Sequence, residues 1–162
     1  MVKEEKSRYK TASYWPYITR SMLLLIVWLI LPITGTRQTS EEPTVQAILF
    51  YSPSCPHCHQ ALKEIMIPLK EQYGHQLQIV GIDTMQPNGE AFFLEVTKWF
   101  EIPENRQVVP TLIVGETVLV SRSEIADQFP SLIEEGLASG GIGWPDIPDL
   151  NVVLPDLLLI DA

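Results

Sequence analysis

The feature that most constrains this chain is a junction. Its only two cysteines, Cys55 and Cys58, stand where one kind of pattern gives way to another. Before them, Val45-Gln46-Ala47-Ile48-Leu49-Phe50-Tyr51 is an apolar run suited to a buried strand. After them, the segment from His59 to about Tyr73 has helical spacing. A strand that turns at once into a helix, with two thiols in the turn, restricts the fold to plans that pack helices on a sheet. The Cys-x-x-Cys spacing of Cys55-Pro56-His57-Cys58 also suits closure of a small redox-active disulfide.

The chemistry follows from where a thiolate can exist, since the thiolate is the nucleophile. At the first turn of a helix, unpaired backbone N–H groups and the positive end of the macrodipole favour an anion. Ser54 is the expected N-cap, and Pro56 suits an early helical position where its missing donor is not needed. Cys55 then sits at the mouth of the helix, and a protonated His57 would add positive charge beside it. Cys58 falls one turn later on the same face and is expected to be the more buried, resolving thiol. A stabilised thiolate leaves readily, so the pair should prefer to give its disulfide away.

The rest of the folded part alternates in kind. Pro68 should kink or break the first helix near Met66, and Gly74 is placed to cap its end. Leu77-Gln78-Ile79-Val80-Gly81-Ile82-Asp83 reads as a second strand, parallel to the first because a helix intervenes. Phe92, Phe93, Val96, Trp99 and Phe100 recur at helical spacing, as a face packed on the sheet rather than a substrate groove. Val108 to Val114 and Thr117 to Ser121 read as a hairpin about Gly115-Glu116, and a last helix runs from about Glu124 to Ala138, with Pro130 as a source of kinking. The order β, α, β, α, β, β, α is an α/β plan with a central mixed sheet flanked by helices.

Charge divides the chain. Residues 1–40 carry six Lys or Arg against Glu4 and Glu5, a net of +4, so the other 122 residues carry −13 of the total −9. An acidic body argues against nucleic acid. The basic residues precede an uncharged run of 12, Met22 to Ile33, which is short for a spanning helix and usual for a signal segment. Tyr14, Trp15, Tyr17 and Ile18 could extend the embedded length as an interfacial belt, so an uncleaved anchor and a cleaved signal both stand. Either way the positive flank stays in the cytoplasm and the acidic domain lies outside it, in an oxidising compartment. The expected organisation is a basic terminus over 1–20, a membrane anchor or signal segment over 21–36, a linker over 37–43, a domain over 44–138 and a Gly/Pro/Asp-rich tail over 139–162.

Taken together, Cys55-Pro56-His57-Cys58 at a strand-to-helix junction, Val109-Pro110-Thr111 before a hairpin, Gly115 in its turn and a closing helix resemble the thioredoxin superfamily over about residues 44–138. The resemblance implies a thioredoxin-like fold in which Pro110 is cis against the active-site pair. It also implies that Val109 and Pro110, with Pro56 beside the thiols, receive an extended substrate by strand addition. The Pro-His dipeptide is similar to that of DsbA-type oxidases. Where thioredoxins carry a buried carboxylate six residues before the first cysteine, this chain has Leu49, which leaves the base for Cys58 open, with Glu64 as one guess. The tail, through Gly140-Gly141-Ile142-Gly143-Trp144-Pro145-Asp146-Ile147-Pro148, resembles the end of thioredoxin-like domains fused to bacterial vitamin K epoxide reductase homologues. That implies a membrane quinone-linked reoxidase as redox partner. The tail's plainer reading is a segment that packs on the domain or hangs free.

The expected function is therefore a protein thiol–disulfide oxidoreductase acting on exported cysteine-containing proteins. Cys55, Cys58 and His57 are its catalytic residues, and the Cys55–Cys58 disulfide replaces any cofactor. A reductase or isomerase outside the cytoplasm uses the same fold in the other direction. A non-catalytic interaction module and a metal site on Cys55, His57, Cys58 and His59 are the remaining alternatives. The metal site is disfavoured because no second Cys-x-x-Cys exists and His75 would have to come from another element.

Overall fold

Alternation along the first strand sets up two cores. In the computed structural model, which describes residues 42–148, 150 and 160, β1 (Val45–Tyr51) turns Val45, Ala47 and Leu49 to one face and Ile48 and Phe50 to the other. All five side chains are fully buried. Burial on both faces is why the run is almost continuously apolar instead of alternating with polar residues.

β1 occupies an inner position of a four-stranded mixed sheet of order β2-β1-β3-β4. β2 (Leu77–Asp83) pairs parallel with it, in register from Val45 opposite Leu77 to Tyr51 opposite Asp83. β3 (Thr111–Val114) runs antiparallel on the other side, and β4 (Thr117–Val120) completes the hairpin through Gly115-Glu116. The expected third strand is shortened, because Val108 and Val109 and the cis Val109–Pro110 bond lie before the ladder begins. Proline has no N–H to give a neighbouring strand, so the ladder starts at Thr111.

One face of the sheet is covered by the helical run after Cys55 together with the closing helix. That run opens as α1 (Pro56–Ala61), passes through a π-helical turn over Leu62–Met66 and continues as α2 (Ile67–Tyr73). Pro68 explains the interruption: it has no N–H for the carbonyl of Glu64, and its ring crowds that carbonyl, so the turn before it widens. Gly74, at φ 55°, ends the run with its N–H on the carbonyl of Lys70. The closing helix α4 (Ser121–Ala138) starts three residues earlier than the expected Glu124 and runs without a break through Pro130. Ala61, Ile65, Met66, Ile125, Phe129 and Ile133 meet Leu49, Leu77 and Ile79 in this first core.

The second face is covered by α3 (Pro87–Trp99), which delivers Phe92, Phe93 and Val96. Phe50 tilts against Phe93 and Phe92 with ring centroids 5.0 and 5.9 Å apart. Such pairs add about 0.5–1.5 kcal/mol beyond their buried area, which marks the stripe as core. Phe100 is partly buried and packs on the same core; the expectation fails at Trp99, which is 54% exposed because it sits on the last turn, past the edge of the apolar face. The described part of the tail packs on the domain. The Ile142 N–H donates to the carbonyl of Thr44, and the Gln46 N–H donates to the carbonyl of Ile142. Trp144, Ile147 and Leu150 then join the second core.

The anchor or signal expected over 21–36, the basic terminus and most of the linker lie outside the described residues. Among the described residues no helix is long and apolar enough to cross a membrane.

Candidate functional site

The two cysteines meet where β1 ends and α1 begins. Cys55 holds an extended backbone, φ −91° and ψ 113°, immediately before the helix, and its sulfur accepts the Cys58 N–H at 3.2 Å. Cys55 is thus itself the N-cap, which corrects the expectation for Ser54. The Ser54 hydroxyl is instead within 2.9 Å of the Ser52 hydroxyl, in the turn whose backbone carries the Cys55 N–H to the Ser52 carbonyl. The physical reason is position: Pro56 is the first helical residue, so the capping group must come from the residue before it.

Exposure separates the thiols as the helical spacing implies. Cys55 is half-buried and Cys58 is 1% exposed, and both are free thiols in this structure. Burial first, and then the hydrogen bond with Cys55, push the Cys58 thiol up to about 12, against a smaller opposing effect of the Ser52 backbone. Leu49 is fully buried in the first core. Glu64, the guessed base, is paired with Arg122 at the surface.

The substrate-binding residues expected from the resemblance fall at the same end of the sheet. Pro110 is buried behind its cis bond, and the carbonyl of Val109 accepts the Cys55 thiol at 3.8 Å. Pro56 is exposed on the first turn, next to exposed His57. Val108 and Met85 are exposed apolar side chains, and Thr84, next to Met85, donates its N–H to the carbonyl of Tyr51, four residues before Cys55. His59 does not join the thiols: its Nε2 lies 2.6 Å from the carbonyl of Pro53. His75 is turned to the Glu42 carboxylate at 2.6 Å. Among the described residues no three His, Cys, Asp or Glu side chains gather as a metal-ligand set.

Sequence reading missed the anchors of the Val109 segment. Arg106 forks onto Glu124, Nη1 to Oε1 at 2.8 Å and Nη2 to Oε2 at 2.9 Å, while Glu124 Oε2 also accepts the Val120 N–H at 2.7 Å. The guanidinium and that backbone donor hold the Glu124 carboxyl below its usual range. A signal was present in Ser121-Arg122-Ser123-Glu124, whose S-x-x-E spacing is that of a capping box at a helix start. No protein-family model, curated protein or solved structure matches the chain.

Proposed function

We propose that this chain is a thioredoxin-like protein thiol–disulfide oxidoreductase that donates its Cys55–Cys58 disulfide to exported proteins. One observation carries the reading: a half-exposed Cys55 caps a helix, covers a buried Cys58 within one turn, and faces the carbonyl of Val109 before cis Pro110. A reactive thiol, a protected partner and a backbone edge for an incoming peptide then share one end of the sheet.

In the donor direction a substrate thiolate attacks the Cys55 sulfur, the Cys55–Cys58 bond breaks, and Cys58 takes up the electron pair and a proton. The high proton affinity of Cys58 favours that protonated product and keeps it from attacking the mixed disulfide in return. The substrate's second thiolate then displaces Cys55. Two electrons and two protons have passed to the protein, and the substrate has gained a disulfide. His57 contributes positive charge beside Cys55 when protonated. Renewed oxidation needs an acceptor, for which the membrane quinone-linked reoxidase suggested by the tail is the proposed partner. The N-terminal segment would hold the domain on the extracytoplasmic side of the membrane, or be removed on secretion.

The test is substrate trapping in cells. Cys58→Ser should accumulate mixed disulfides with exported cysteine-containing proteins, and Cys55→Ser should accumulate none. Their absence from the Cys58→Ser strain would remove the reading. The reduction potential of the pair sets the direction: a value near −120 mV, roughly that of DsbA, means a donor, and one near −270 mV, roughly that of thioredoxin, means a reductant.

A further inference from the structure

The segment that presents Val109 to Cys55 has little regular structure of its own. Between the end of α3 and the start of β3 it holds only one 3₁₀ turn, Glu104–Arg106. Short bonds lace it internally: the Val108 N–H donates to the Arg106 carbonyl at 2.9 Å, and the Thr111 hydroxyl donates to the Val108 carbonyl at 2.5 Å. Two attachments tie it to the beginning of α4. The Ser121 N–H donates to the carbonyl of Pro110 at 3.0 Å, and Arg106 forks onto Glu124.

Those attachments stand on either side of Val109, so the edge facing Cys55 is suspended between them. The Glu124 carboxylate is itself set in place by the Val120 N–H, which makes the start of α4 a rigid post. A fork of two parallel charge-assisted bonds fixes orientation as well as distance, which a single point charge does not. Ser121 adds a sign of constraint, since a φ of 80° is costly for a residue with a Cβ and is held there by its surroundings.

We propose that the Arg106–Glu124 fork is a positioning clamp that holds the Val109 edge at the distance needed to seat an extended peptide on Cys55, and that it acts on peptide docking rather than on thiol chemistry. The inference rests on the thiol–disulfide reading of the site. Neither residue is placed in contact with a reacting sulfur, so the clamp can change how a peptide binds while leaving the exchange step alone.

The experiment compares wild type, Arg106→Ala and Arg106→Lys in full-length protein, each confirmed as folded by circular dichroism. Each is assayed with two oxidants of opposite size: a cysteine-containing peptide disulfide and the small aromatic disulfide DTNB, attacked by reduced Cys55. Arg106→Ala should raise KM for the peptide about fivefold, the order expected for loss of one such pair, with kcat within about twofold and the DTNB rate unchanged. Arg106→Lys, which keeps the charge and loses the fork, should fall between. Unchanged peptide KM in Arg106→Ala, or peptide and DTNB rates falling together, overturns the clamp. A wild type that exchanges with neither oxidant overturns the thiol reading beneath it.

Discussion

Cys58 shows at the residue scale how little of a thiol's behaviour lies in its identity. The same side chain that ionises near 9.0 in the open is pushed up to about 12 by burial and by its hydrogen bond with Cys55. Because folding raises its proton affinity, the contribution of Cys58 to the stability of the reduced protein is fully present below pH 9, and the sign beyond that point is fixed. Between about pH 9 and 12 the unfolded chain sheds a proton that the folded one retains, so stability falls as pH rises. Chemical denaturation of reduced wild type at pH 7.5 and 10 should show that loss, and Cys58→Ser should show a smaller one. Iodoacetamide should label Cys55 well before Cys58, read by peptide mass mapping. Both thiols, and Pro56 between them, were legible as a candidate site because their spacing is contiguous. The capping role of Cys55 was not, since Ser54 has the better side chain for it and only the backbone angles decide.

At the scale of elements, the start of α4 joins secondary structure to the site. Glu124 receives two bonds from Arg106 and one from the Val120 backbone, and its depressed proton affinity reverses the sign found for Cys58. Its contribution is present above the ordinary carboxylate value of 4.5 and lost as pH falls through the lower folded value. Wild type should therefore exceed Glu124→Gln in unfolding free energy at pH 7, and the gap should narrow as pH falls below 4.5 in paired denaturation curves. Glutamine still offers Val120 an acceptor, so the difference reports the charge. Helix and strand identities were well read from periodicity, including the break at Pro68. Boundaries were not: β3 lost Val108, Val109 and Pro110, and α4 gained Ser121 to Ser123, because ladder bonds and caps depend on partners from elsewhere.

Across the whole molecule, the tail decides how β1 is finished. β3 reaches only to Ala47 along β1, and Ile142 takes up the pairing beside Val45. Gly141 permits this: its φ is 108°, and a Cβ there would lie 2.7 Å from the Thr44 carbonyl oxygen. Gly141→Ala should then cost about 2 kcal/mol of stability by denaturant titration and deprotect the Gln46 and Ile142 amides in hydrogen exchange. A loss of stability with those amides still protected would place the effect elsewhere. By itself the sequence determined the alternation of strands and helices, the two-faced burial of β1 and the setting of both thiols at its end. Each of these depends on neighbours within a few residues, through apolar period, proline and glycine. Only the tertiary structure decided that Arg106 reaches Glu124, and that Trp144 and Ile147 close the second core. Those contacts join segments with no shared local pattern, and they exist because the sheet order brings β3, β4 and the tail back to the two ends of β1.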